Sequence, residues 1–201
     1  MPEHQHPHLL GIDFGTSNSA AAMVGADGRL HALKLDEGST SMPTALFFSS
    51  EDGTVAYGRA AMQAYLEGHE GRLMRSIKSL LGSSLINEQT LLNGRMVSLF
   101  EVVVLFFKEL KRRCERELGH PVDAAPLSRP AHIVDDDAQR DAQAQATLGE
   151  AAYAAGFTSV QFQLEPIAAA FDYEQRVTAE GTVLVVDIGG GTSDFTVARV
   201  G

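Results

Sequence analysis

Two short segments from opposite ends of the chain share one order of residues. Gly11-Ile12-Asp13-Phe14-Gly15-Thr16-Ser17-Asn18 is the first, and Val186-Asp187-Ile188-Gly189-Gly190-Gly191-Thr192 is the second. Each runs from an apolar stretch into Asp, one apolar residue, then Gly and Thr or Ser. Glycine lets a backbone turn tightly and bring its N–H groups against a phosphate, and the hydroxyls add donors. An Asp at a strand end suits a hydrated Mg²⁺, which keeps its waters and uses one or two carboxylates. Two such loops facing each other would grip a polyphosphate from both sides. Either segment alone reads equally well as a glycine-rich hairpin with Asp as a turn residue. The same order at both ends favours the phosphate reading. The chain has no G-x-x-x-x-G-K-[ST] segment, and neither loop opens a helix, so Walker-type and dinucleotide-binding loops are excluded.

Single residues elsewhere have plainer readings. Lys78, on its own, is a solvated lysine on a helix. Glu165 before Pro166 is a helix-start acid. Asp194 is either a support for the second loop or a strand-edge charge. Asp135-Asp136-Asp137 reads as a helix N-terminus, not a metal cluster. The seven histidines show no metal-ligand spacing, and His4, His6 and His8 read as a tail. Phe100, Phe106 and Phe107 read as core.

The elements that must position these residues are legible in outline. Leu9–Asp13, Ala20–Val24, Leu30–Leu35 and Thr44–Ser49 read as strands of an opening meander, with Asp27-Gly28 as a hairpin turn. Gly58–Glu67 reads as a helix. Arg72–Leu81 reads as a second, with Leu73, Ile77, Leu80 and Leu81 on one face. Leu99–Leu118 is the longest helix, apolar nearly all round in its first half and solvated over Lys108–Glu117, with Gly119 and Pro121 ending it. Ala124–Val134 is a weaker strand, which Pro126 and Pro130 would shorten or place at an edge. A helix over Asp135–Ala155, a strand around Val160–Leu164, a helix over Ile167–Gln175 and strands at Thr182–Ile188 and Phe195–Val200 follow.

Composition narrows the classes. The chain has 201 residues, 16 Lys and Arg against 26 Asp and Glu, and a formal net charge of −10. So acidic a chain has no footprint for nucleic acid or for an anionic membrane surface. Hydrophobic residues at 44% describe a folded domain. The one cysteine, Cys114, cannot form an internal disulfide and reads as a buried small hydrophobe. No signal-peptide or membrane-spanning run is present, which predicts a cytoplasmic protein.

Four stretches together resemble the heat-shock protein 70 chaperone family of the actin-like ATPase superfamily. Gly11–Ser19 is similar to its first phosphate loop, and Ile77-Lys78-Ser79-Leu80-Leu81-Gly82 to the segment with its catalytic lysine. Glu165-Pro166-Ile167-Ala168-Ala169-Ala170 is similar to its EP-x-AAA segment, and Val185–Asp194 to its second phosphate loop. The resemblance implies an α/β fold: a ribonuclease-H-like, mixed five-stranded sheet with flanking helices. It implies lobe I over residues 8–178 and the first hairpin of a truncated second lobe over 179–201.

It also implies roles, with ATP and Mg²⁺ as cofactors. Asp13 and Asp187 would organise Mg²⁺ through waters. Gly15, Thr16, Ser17 and Asn18 would contact the β- and γ-phosphates, with Gly189, Gly190, Gly191 and Thr192 facing them. Lys78 would reach the γ-phosphate and the attacking water, which Glu165 would orient or whose proton it would relay; Asp187 and Thr192 complete the catalytic set. Client polypeptides and co-chaperones would bind through other domains of a stress-response chaperone. The family's V-P-A-Y-F segment is replaced by Ser128-Arg129-Pro130-Ala131-His132, as in the YegD-like branch. Adenosine contacts belong to the later lobe, which predicts a chain weak or inactive towards ATP alone. Rival readings are a sugar or small-molecule kinase of the same superfamily, which lacks the Lys78 and Glu165 segments, an actin-like scaffold, and a non-catalytic interaction module that dimerises through the C-terminal hairpin.

Overall fold

Strand β1 (Leu10–Phe14) buries Leu10, Ile12 and Phe14 and exposes Gly11 and Asp13, a period-two pattern that sends the Asp13 carboxylate away from the core. The computed structural model describes residues 10–25, 27–174, 179–190 and 193–201. His4, His6, His8, Gly191 and Thr192 lie outside the described residues.

β1 pairs antiparallel with β2 (Asn18–Val24), which pairs with β3 (Leu30–Ala32) and with the short β4 (Ser41–Pro43). A second sheet joins β5 (Ala45–Ser49), β6 (Val55–Tyr57) and β7 (Gly71–Arg75), and helix α1 (Arg59–Leu66) packs on β5 and β6. A hairpin of β8 (Gln89–Leu92) and β9 (Arg95–Ser98) leads into the long helix α2 (Leu99–Leu118). β10 (Ala124–Arg129), helix α3 (Ala138–Ala154), β11 (Ser159–Leu164) and helix α4 (Glu165–Glu174) follow. β12 (Gly181–Ile188) and β13 (Ser193–Val200) form the last hairpin. The main sheet runs β11-β10-β1-β2-β3, the five-stranded mixed sheet expected, with β4 as a sixth strand beside β2. β10 is parallel to both β1 and β11, so their C-terminal ends gather at one edge.

α2 begins with a capping box. Ser98 Oγ accepts from the Glu101 N–H at 3.1 Å, and the Glu101 carboxylate accepts from the Ser98 N–H at 2.7 Å. Its apolar half buries Val102, Val103, Phe106 and Phe107 as expected. The charged half departs from the expectation. Leu110 and Cys114 are fully buried, and Arg113 and Glu109 are largely so. Arg113 bonds Glu109 and Asp36 at 2.6 Å each and the Leu35 carbonyl at 2.9 Å. These charges are hidden because they satisfy one another. Burial, with the nearby Glu115 carboxylate, pushes the Cys114 thiol up to about 12, which leaves it unreactive.

Two other expectations are corrected. The Arg72–Leu81 helix is instead β7 followed by a 3-10 turn at Ile77–Leu80. Phe47 opposite Leu73 and Leu46 opposite Met74 turn alternate side chains into different core clusters, so period two overrides the helical spacing. β10 is not an edge strand either. Pro130 does end it, but Pro126 sits in mid-sheet opposite Gln161, next to the Leu127 that pairs with Ile12. Proline removes one donor from a ladder, yet β10 is paired on both sides, held by the remaining bonds to β1 and β11.

Candidate functional site

The first loop closes the turn between β1 and β2. A buried hydroxyl pair fixes it from below. Thr44 Oγ1 donates to the Gly15 carbonyl at 2.8 Å and lies 2.9 Å from Ser19 Oγ, while the Thr44 N–H donates to the Ser17 carbonyl at 2.9 Å. The loop's carbonyls are thus held, and among the described residues no acceptor takes the N–H groups of Gly15, Thr16 or Ser17. Free N–H groups in a tight turn make an anion cradle. Gly15 is required there by space: a Cβ would lie 2.2 Å from the Asn18 carbonyl oxygen.

The second loop approaches the first from the β12–β13 hairpin. A Cβ on Gly190 would lie 1.8 Å from Ser17 Oγ, so the loops meet at van der Waals distance. Asp187 and Asp194 stand opposite each other at the end of that hairpin.

Lys78 arrives from the 3-10 turn. Ile77 and Leu81 are buried on either side of it, and Ser76 opens the turn in the left-handed region at φ 55°. Lys78 is only 9% exposed, which its solvated reading did not anticipate. Arg140 of α3 donates two bonds to the Gly82 carbonyl, at 2.7 and 3.1 Å, and so ties this segment to the sheet's helical layer. Glu165 starts α4 directly after β11, and its Oε1 accepts from Lys78 Nζ at 3.3 Å.

Asp13, Gly15, Thr16, Ser17, Asn18, Lys78, Glu165, Asp187, Gly189 and Gly190 line one cleft of about 190 Å³. Every site residue expected from the sequence is therefore brought together, apart from Gly191 and Thr192, which lie outside the described residues. Burial raises the Glu165 carboxyl above its ordinary value. The Lys78 ammonium opposes that shift, and the Asp13 carboxylate adds to it. Among the described residues no group of three or more His, Cys, Asp or Glu side chains could hold a metal ion directly. Two carboxylates facing a polyphosphate-sized cleft fit a cation that keeps most of its waters.

A family model described as Hsp70 protein matches residues 87–201, which contain Glu165 and the second loop. The chain belongs to the Hsp70 family. Over 216 residues it is 32% identical to a chaperone protein HscA homolog of Vibrio vulnificus, which covers 98% of this chain and 33% of the relative. It is 32% identical over 195 residues to chaperone protein DnaK of Thermosipho melanesiensis (96% of this chain, 31% of the relative). It is 31% identical over 194 residues to chaperone protein DnaK of Thermotoga maritima (96% and 30%). The chain spans about a third of the length of the curated relatives it matches. Within the Hsp70 family it corresponds to the nucleotide-binding portion, and its mixed sheet and helices are those of the family's actin-like lobe.

Sequence reasoning missed residues around this Hsp70 cleft. Ser128, the last but one residue of β10, donates from Oγ to Asp13 Oδ1 at 2.8 Å and lies 3.2 Å from Glu165 Oε1. Its place at the C-terminal end of a parallel strand is the signal that could have found it. Thr44 left no such signal. Arg129 is buried and bonds Asp141 Oδ2 at 2.8 Å and the Ala131 carbonyl at 2.9 Å, fastening the Arg129-Pro130 segment to α3. Burial alone would raise the Asp141 carboxyl. Hydrogen bonds from Arg129 and from the Ile133 and Val134 N–H groups outweigh it and hold that carboxyl below its ordinary value.

Proposed function

We propose that this chain forms one wall of the ATP-hydrolysing site of an Hsp70-type molecular chaperone. The observation that carries the proposal is the convergence of both glycine-rich loops, Lys78 and Glu165 on one cleft. The free N–H groups of Gly15, Thr16 and Ser17 bind the β- and γ-phosphates, with Asn18, Gly189 and Gly190 alongside; Gly191 and Thr192, outside the described residues, keep the role the resemblance implies. Asp13 and Asp187 would hold a hydrated Mg²⁺, which when bound would neutralise phosphate charge. Lys78 places its ammonium at the γ-phosphate. Glu165 orients the attacking water and takes its proton, a task for which a carboxyl raised by burial is suited. This is positioning plus charge stabilisation, as phosphoryl transfer requires.

Residues 8–178 make lobe I in this reading, and 179–201 the first hairpin of a second lobe that supplies adenosine contacts. Titration of the 201-residue chain with Mg·ATP should therefore give affinity weaker than low micromolar, and a polypeptide of its relatives' length should hydrolyse ATP. Low-micromolar binding by the 201-residue chain would refute the division of the site between lobes. Client polypeptides, co-chaperones and a cytoplasmic location belong to this reading. No helix among the described residues is long and apolar enough to cross a membrane.

One observation favours a second property of the 201-residue chain. Leu184, Val186 and Ile188 on β12 share a face with Phe195 and Val197 on β13, and all five are 48–73% exposed. An uncovered apolar sheet face with free edges recruits another surface. In this reading the remainder of the second lobe covers it, and without that cover the chain pairs with itself. Light scattering should show a dimer that Phe195→Lys returns to monomer; a chain already monomeric at tens of micromolar sinks the idea.

A further inference from the structure

We propose that Ser128 is a positioning residue that sets Asp13 and Glu165 at a fixed separation, an inference that rests on the ATPase reading above. The register of the sheet places it there. Ile12 of β1 stands opposite Leu127 of β10, both buried on one face, so the next residues, Asp13 and Ser128, share the other face. Glu165 then enters where β11 ends beside β10.

The contacts are selective. Ser128 Oγ donates to Asp13 Oδ1 at 2.8 Å and lies 3.2 Å from Glu165 Oε1, and the latter oxygen also accepts from Lys78. One oxygen of each carboxylate is thereby committed. Asp13 Oδ2 and Glu165 Oε2 have no protein partner among the described residues. Two like charges converging on one cleft repel, and a hydroxyl between them offsets part of that repulsion while fixing both rotamers. Each carboxylate then keeps one oxygen for the waters it must orient. Outer partners that orient such ligands typically matter about ten- to a hundredfold in activity or metal affinity.

The test compares Ser128→Thr with Ser128→Val in a polypeptide of the relatives' length. The two replacements have the same shape and differ in the hydroxyl, and both suit a β-strand. Ser128→Val should lower kcat by about ten- to a hundredfold with little change in KM. It should also reduce, by about tenfold, the gain in ADP affinity that Mg²⁺ confers, read by calorimetry. Ser128→Thr should keep both within about threefold of the parent. Equal losses in the two variants would assign Ser128 to shape alone and overturn the proposal. So would parental kcat in Ser128→Val. Lys78→Ala, assayed alongside, separates the failures: if it is inactive while Ser128→Val is normal, the ATPase reading stands and the Ser128 inference falls. If both are normal, both fall.

Discussion

Lys78→Ala should lower ATP hydrolysis about 10²- to 10³-fold in a polypeptide of the relatives' length, the usual cost of losing one preorganised stabiliser of transition-state charge. Among the described residues lining the cleft, Lys78 is the one cationic side chain, and it shares the cleft with Asp13, Glu165 and Asp187. It is nearly buried, so its charge acts with little screening by water. Its removal has a second consequence. The Lys78 ammonium holds down a Glu165 carboxyl that burial raises, so that carboxyl rises further in the variant. Nucleotide affinity should change far less, because in the proposed site the loop N–H groups carry much of the phosphate binding. Steady-state hydrolysis and calorimetry on the same variant check both halves. Hydrolysis within threefold of the parent would remove Lys78 from the mechanism.

Phe14→Ala should destabilise the chain by about 3–5 kcal/mol, the range for deleting a large ring from a packed core. That is a large part of the 5–15 kcal/mol typical of a whole domain. Phe14 is fully buried, with ring centroids 4.8 Å from Phe107 and 5.8 Å from Phe106, both tilted. It also lies between Asp13 and Gly15 in the chain. The ring that anchors β1 on α2 therefore sits at the start of the first loop, which Thr44 fixes from below. Denaturant unfolding followed by circular dichroism measures the loss; a change under 1 kcal/mol would show that Phe14 is not a keystone of the sheet.

Some elements were legible because local chemistry and tertiary context agree. Ser98, Glu101 and Gly119 bound α2 by caps that any helix would use. Asn93-Gly94, both at positive φ, mark the β8–β9 hairpin by a turn signal legible in sequence. Arg72–Leu81 was misread because Leu73, Ile77 and Leu80 fit a helical period until β5 supplies a partner for β7. Glu109 and Arg113 were misread as solvated because their partner Asp36 is remote in sequence. Thr44 was invisible as a site residue for the same reason: a lone hydroxyl gains a role only from what stands opposite it.

By itself the sequence determined the chemistry on offer: two glycine-rich loops each preceded by Asp, Lys78 and Glu165 in segments that resemble a known family's, and too little positive charge for nucleic acid. These depend on residue type and on order along the chain. Only the tertiary structure decided that Lys78 leaves solvent, that Glu165 is raised by burial, and that Ser128 bridges two carboxylates. The reason is physical. Burial, and hydrogen bonds of a few ångströms, are set by strand register and by packing between remote segments, and no local spacing encodes either.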